Sequence, residues 1–256
     1  MWSVWSETTE VYLGHGIAML KTGRKPSIAI HHPVTLPWER VLAKLSNEAG
    51  QPVAKGSRLK VSLSGLGCPA FGVAIPEGVT RWHEQQQIAL ASAAQGMGAQ
   101  PDQIACATDV GLPSVAAALP LPILDELKHW ALQIGCKLVS VGPLWALATQ
   151  CQLSRQSTTQ CLLVQEPGCV TLLADTGKSG FKATTLPGDI HSATVQTAMH
   201  QWLLNHQLNN TQLVSISFDS HSRAAAAPQT SEASPSTNKS APGLPNRWEG
   251  HWYTAS

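Results

Sequence analysis

The sequence predicts an α/β protein of two lobes, built on mixed sheets with flanking helices, and three stretches carry that expectation. Residues 161–187, CLLVQEPGCVTLLADTGKSGFKATTLP, alternate apolar segments with Pro-Gly and Asp-Thr-Gly-Lys-Ser-Gly. That is strand, turn, strand, turn, strand, an antiparallel meander of the kind that can begin one half of a two-lobed protein. Residues 10–22, EVYLGHGIAMLKT, read as an earlier strand pair turning at Gly14-His15-Gly16. Residues 114–141 place an apolar SVAAAL strand between Pro113 and Pro120, then a helix, then the strand CKLVSV. Strand, helix and strand of these lengths predict a βαβ crossover with parallel pairing.

The remaining elements follow in order. Residues 27–31, SIAIH, are a third short strand. Leu36, Val41, Leu42 and Leu45 recur at helical spacing over 36–49, and Gly50 supplies a stop. Residues 59–63, LKVSL, form a strand closed by Ser64-Gly65-Leu66-Gly67, and 71–75 form another that ends at Pro76. Residues 81–96 are a long helix carrying Trp82, Ile88, Ala89 and Ala93, and 103–108 are a strand. In the helix over 122–134, Ile123, Leu124, Leu127, Trp130, Ala131 and Ile134 fall at i, i+3, i+4 steps and Gly135 ends it. A short helix over 143–151 leads into the meander, whose first strand is apolar throughout at 161–164, as in a strand buried on both faces. A helix over 194–208 and a last strand, QLVSISF at 212–218, complete the fold.

Composition then changes. Residues 219–246 are Ser, Pro, Ala, Thr and Asn with hardly a large apolar side chain, and such a segment cannot bury enough surface to offset its ordering entropy. The expected organisation is a first lobe with an inserted subdomain over 1–150, a second lobe over 151–218, a disordered linker over 219–246 and an aromatic C-terminal segment over 247–256. That last segment contains RWEGHWY, which either docks on the domain or serves as a short recognition sequence.

Of the 256 residues, 43% are hydrophobic, enough for a sizeable core, while charged residues make up 13% and the net charge is +1. No broad basic field is present, which argues against nucleic acid as a ligand. Cys68, Cys106, Cys136, Cys151, Cys161 and Cys169 form no CxxC and no Cys/His cluster of metal spacing, so they read as reduced thiols in a cytosolic protein. The opening MWSVWSETTE has neither a basic nor an apolar signal-peptide region, and no apolar run reaches the length of a membrane-spanning helix.

Several fragments look catalytic and read better as structure. Thr176-Gly177-Lys178-Ser179 ends like a phosphate-binding loop. Leu172 stands where the first glycine would be, and a strand rather than a helix follows, so a hairpin turn is expected. His83-Glu84 begins like a zinc-protease helix, but Gln87 replaces the second ligand. His31-His32 has no third ligand at useful spacing. Ser64-Gly65 lacks the frame of a nucleophile elbow.

The order of elements resembles the actin-like ATPase (ribonuclease H-like) fold. It is similar, more closely, to the cytoplasmic assembly-platform proteins of bacterial type IV pili and type II secretion, the PilM, GspL and BfpC group. Residues 59–75, LKVSLSGLGCPAFGVAI, resemble that group's strand, Leu-Ser-Gly turn and return strand. Residues 114–143 resemble its Val-Ala-Ala strand, helix, glycine turn and strand ending near proline, and 161–176 the start of its second half. The resemblance covers roughly 10–218.

What the resemblance implies turns on two strand turns. In actin-like nucleotide sites an Asp followed closely by Gly occupies each turn; backbone amides cradle phosphates and the Asp positions Mg²⁺ or water. Here Gly16 aligns with the first glycine and Gly14 stands in the place of the Asp. In the second turn Gln165 or Glu166 falls near the Asp position, followed by Pro167-Gly168, and proline has no amide proton to give a phosphate. Gly14, Gly16, Gln165 and Gly168 therefore mark degenerate phosphate turns. The expectation is a non-catalytic scaffold with no cofactor and no metal, cytoplasmic and held at the inner membrane through a protein partner. The resemblance implies as partners an inner-membrane platform protein of the pilus or secretion machine, the secretion motor ATPase, and a second copy in a homodimer. The rival reading is an ATP-binding ATPase of the actin or sugar-kinase type.

Overall fold

The computed structural model describes residues 8–23, 27–48, 55–109, 112–153, 161–175, 181–208, 213–218 and 229–232. A five-stranded sheet runs through the first half of the chain. β1 (Thr8–Leu13) and β2 (Ile17–Thr22) are the predicted hairpin, and β3 (Ile28–His31) adds antiparallel to β2. α1 (Trp38–Glu48) crosses to β4 (Arg58–Leu63), which lies parallel to β1, and β8 (Lys137–Pro143) lies parallel to β4 on its far side. Between β4 and β8 the chain makes β5 (Ala70–Gly72), α2 (Trp82–Met97), β6 (Ile104–Asp109), β7 (Leu112–Pro120) and α3 (Leu121–Gln133). α4 (Leu144–Leu153) follows β8.

The second half repeats the opening of the first. β9 (Cys161–Glu166), β10 (Cys169–Asp175) and β11 (Phe181–Pro187) form the antiparallel meander, α5 (Ala193–Asn205) crosses, and β12 (Leu213–Ser217) returns parallel to β9. Each half thus runs strand, strand, strand, helix, strand, with the fourth strand beside the first. β13 (Gln229–Glu232) pairs antiparallel with the outer edge of β12. These four residues form a strand inside the segment expected to be disordered; the rest of 219–246, and all of 247–256, lie outside the described residues.

One sequence expectation is corrected. β7 and β8 do not form a βαβ unit in one sheet. β7 pairs antiparallel with β5 and β6 in an eight-stranded sheet of order β13-β12-β9-β10-β11-β5-β7-β6, whereas β8 belongs to the five-stranded sheet. α3 carries the chain from one sheet to the other. The parallel partner of β8 is β4, so the true crossover is longer than the sequence suggested and contains β5 to β7. The two parts of the large sheet meet at a single pair, Thr184 opposite Phe71.

The cores follow from the apolar periodicities. Val41, Leu42 and Leu45 of α1 and Leu127, Trp130 and Ala131 of α3 pack with β1, β4 and β8 and also with Leu162, Val164, Leu173 and Ile216 of the large sheet, so one core joins both sheets. The Trp130 Nε1–H donates to Ser46 Oγ at 2.9 Å and ties α3 to α1. α2 covers the β5–β7 end through Ala89, Leu90, Ala93 and Ala94, and Gly98, in the left-handed conformation, closes that helix. α5 covers the meander through Val195 and Leu203, with Ser192 Oγ capping its first turn by accepting from Val195 N–H. Trp145 of α4, 1% exposed, donates its Nε1–H to Cys68 O at 2.9 Å and locks α4 to the loop after β4. Cys68, Cys106, Cys136, Cys161 and Cys169 are buried thiols outside any disulfide.

Candidate functional site

The two turns singled out in the sequence face one another. In the first, Gly14 N–H donates to Ile17 O at 2.8 Å, closing the β1–β2 hairpin, and Gly16 takes φ +78° with its carbonyl accepting from His32 N–H at 3.0 Å. In the second, Gly168 takes φ +80° and its carbonyl accepts from Gly188 N–H at 2.8 Å. Both glycines hold left-handed backbone that other residues adopt only under strain. A Cβ built on Gly168 would lie 2.5 Å from His15 Cδ2, so the imidazole of the first turn rests directly over the second. A Cβ on Gly14 would strike the Tyr12 ring at 2.5 Å. Side chains of the first hairpin thus lie against both turns, His15 on Gly168 and Tyr12 on Gly14.

Strand alternation separates the two carboxylate-position candidates. Gln165 turns toward β12: its Nε2 donates to Ser215 Oγ at 2.6 Å, its Oε1 accepts from Ser217 Oγ at 3.0 Å, and its carbonyl accepts from Phe218 N–H at 2.8 Å. Its role is to fasten β12 to β9. Glu166, one residue on, faces the other way and is the buried acid between the halves, 7% exposed. Tyr12 OH donates to its Oε2 at 3.1 Å and the Gly65 backbone N–H to its Oε1 at 3.1 Å. Tyr12 comes from β1, Glu166 from β9 and Gly65 from the turn after β4, so one carboxylate pins three segments. Tyr12 also packs against Phe218, ring centroids 4.4 Å apart and planes tilted by 40°, in an apolar patch with Ile17 and Leu144.

Burial dominates the electrostatics here. It pushes the Glu166 carboxyl up to about 7, and the hydrogen bonds from Gly65 and Tyr12 only partly oppose it. Burial, then the neighbouring Glu166 charge, raises the Tyr12 phenol well above its ordinary value. The Cys169 thiol is raised for the same two reasons. A carboxylate whose two oxygens are both held by protein donors, with no cation paired to it among the described residues, is built to cross-link backbone segments rather than to hold Mg²⁺ or aim a water. Among the described residues no group of three or more His, Cys, Asp or Glu side chains is arranged to hold a metal ion.

The other fragments settle individually. Residues 176–180, with the phosphate-loop-like Thr-Gly-Lys-Ser, lie outside the described residues, but a strand follows them and β10 and β11 pair through Asp175 and Phe181. His32 is buried with Nδ1 3.0 Å from Pro33 O and Nε2 without a hydrogen-bond partner, its ring 6.3 Å from Trp38. His83 and Glu84 lie exposed on α2, where Glu84 pairs with Arg81 at 3.7 Å. Ser64 N–H donates to Leu13 O at 2.9 Å, holding the turn after β4 against the first turn. Sequence reasoning missed Tyr12 and Gly65. The available signal was weak: a tyrosine two residues before the first turn, and a glycine in a third turn at a parallel strand end.

This arrangement of duplicated half-sheets with facing turns is the actin-like ATPase fold. No protein-family model matches the sequence, and neither does any curated protein. Among solved structures, the chain is similar to a Bacteroides thetaiotaomicron protein with actin-like ATPase fold and unknown function, at TM-score 0.58 and 8% identity over 85% of this chain and 83% of that one. It is similar also to the cytoplasmic domain of EpsL, an inner-membrane component of the type II secretion system of Vibrio cholerae, at TM-score 0.51 and 13% identity over 83% of this chain and 82% of that one. The PilM–PilN type IV pilus biogenesis complex aligns at TM-score 0.49 and 12% identity over 79% of this chain and 66% of that one. Among the described residues no helix is long and apolar enough to cross a membrane.

Proposed function

We propose that the chain is a non-catalytic scaffold in the inner-membrane assembly platform of a type IV pilus or type II secretion machine, working by binding the cytoplasmic segment of a membrane partner. The observation that carries this reading is the tie between the turns: Glu166 is held by Tyr12 and Gly65, and His15 lies over Gly168. A fold whose phosphate turns are joined to each other has kept its frame and given up its ligand space. In this reading Gly14, Gly16, Gln165 and Gly168 are remnants of phosphate turns. Residues 1–150 form the first lobe, with β5–β7 and α2 as its inserted subdomain, and 151–218 form the second. The similarity to the cytoplasmic domain of EpsL, and the sequence resemblance to the wider platform group, support a place on the cytoplasmic side of the inner membrane, reached through a protein partner. The motor ATPase and a second copy are further partners of the same platform.

Two measurements test it. Millimolar Mg·ATP is expected to leave the melting temperature of the full chain unchanged within about 1 °C, because a ligand without affinity for the folded state cannot stabilise it. A rise of several degrees that is lost when Gly168 is replaced by a bulky residue overturns the reading in favour of an actin-type ATPase. Pairwise binding of the full chain to the cytoplasmic segments of membrane proteins encoded beside its gene is expected to single out one that sits among pilin, secretin and motor-ATPase genes. Neighbouring genes with no such set would remove the platform.

A further inference from the structure

The two halves repeat one strand order, and the repeat breaks at its fifth place. In the first half β4 is flanked on its outer side by β8, seven residues long, parallel, and delivered by α3. The register sets Leu138 opposite Leu59 and Val141 opposite Val61, so the core-facing residues of β4 meet apolar neighbours. β12 is the counterpart of β4. Among the described residues its outer side carries only β13, four residues of sequence Gln-Thr-Ser-Glu, running antiparallel. Ile216 and Val214 of β12 belong to the core between the sheets, the first buried and the second partly so. The register sets Thr230 opposite Ile216 and Glu232 opposite Val214. Directly opposed residues of an antiparallel pair share a face, and apolar pairs there strengthen the pairing. β13 therefore closes the edge through backbone hydrogen bonds while bringing polar residue types to the two positions where β12 is apolar.

We propose that the outer edge of β12 is a strand-acceptor site for an extended segment of a partner protein, one with apolar residues at two alternate positions opposite Val214 and Ile216, and that β13 is its weak, displaceable stand-in. Main-chain pairing would supply attachment and the two apolar positions selectivity, as in strand addition at other sheet edges. An edge capped in this way stays protected from indiscriminate pairing until the right segment arrives. The proposal deepens the scaffold reading by naming where the partner segment pairs. It rests on that reading for the partner's identity, whereas the edge itself is tested without it.

The probe is a fluorescein-labelled peptide of residues 226–235 carrying Thr230→Ile and Glu232→Val, with the unaltered peptide beside it. The protein is the full chain, either unaltered or carrying Thr230→Pro and Ser231→Pro. Successive residues of a strand point their N–H groups to opposite sides, so one of the two prolines removes a donor to β12. The apolar peptide is expected to bind the proline variant about tenfold tighter than the unaltered chain, and the unaltered peptide at least about tenfold more weakly than the apolar one. Amide exchange should slow at 213–217 on binding. A full chain carrying Thr230→Ile and Glu232→Val should lose peptide binding and show slowed exchange at 213–217 by itself. No binding to the proline variant, equal affinity for both chains, or protection elsewhere overturns the proposal. Peptide binding without any platform partner would leave the edge and remove the scaffold reading; a platform partner that binds without protecting 213–217 would do the reverse.

Discussion

Replacing Glu166 with Gln is expected to stabilise the protein at pH 8 and to change little at pH 4.5. The Glu166 carboxyl titrates at about 7 in the folded chain against 4.5 for the unperturbed group. A raised folded value means the folded state favours the proton. The contribution is whole below 4.5, declines as the unfolded chain ionises above it, and is lost once pH passes about 7. At 1.36 kcal/mol per pH unit, the span corresponds to roughly 3 kcal/mol. Gln has the same shape and no charge. Its carbonyl oxygen can accept from Gly65 N–H, and its amide can donate to the Tyr12 oxygen. Urea unfolding of the two proteins side by side isolates the effect, because every other titrating group cancels in the difference. The variant should exceed the wild type by up to about 3 kcal/mol at pH 8, with the gap closing toward pH 4.5. A gap that does not vary with pH would mean that the carboxylate is better solvated than its burial implies. Glu166→Ala should instead destabilise at pH 4.5, because it strands two buried donors, at about 1–3 kcal/mol each, and loss of the buried charge should offset part of that at pH 8.

The fold was legible in the sequence only in part. Strand and helix order could be read from apolar periodicity, and the two turns from their glycines, because those signals are local. Which strands share a sheet is not local. β7, α3 and β8 have the lengths of a βαβ unit, yet α3 spans two sheets. Nothing in the spacing of Val115, Leu124 or Val141 distinguishes the two outcomes, since each position is buried either way. Glu166 could be marked as the acid nearest the second turn, but its partners could not be named: Tyr12 lies 154 residues away and Gly65 lies 101. β13 was invisible for a different reason. Gln-Thr-Ser-Glu has no apolar pattern to display, and within a Ser/Pro-rich segment it reads as unstructured.

Gly65→Val is the substitution expected to do most damage at the junction, and its cost can be separated into parts. A Cβ at residue 65 would lie 2.7 Å from Thr171 Oγ1, 3.1 Å from Thr185 Cγ2 and 3.3 Å from Cys169 Sγ. Thr171 and Thr185 face each other across β10 and β11 with hydroxyls 3.0 Å apart, and Thr185 Oγ1 also accepts from Ala70 N–H. These are short side chains on paired strands, with no free end to swing aside, so the turn itself must move. Overpacking of this kind costs about 1–3 kcal/mol. Moving the turn also withdraws Gly65 N–H from Glu166, leaving a buried carboxylate with one donor fewer, a further 1–3 kcal/mol or so. Gly56→Ala is the natural control, because Gly56 has φ +82° with nothing within 4 Å of the added atom. It should register only the backbone strain, about 1 kcal/mol. Gly65→Val should lower the urea midpoint well beyond Gly56→Ala at pH 8, and the excess should shrink in a Glu166→Gln background, where no charge is left uncompensated. An excess unchanged by that second substitution would mean that packing alone holds the turn, and that Glu166 is a passenger in the junction rather than its pin.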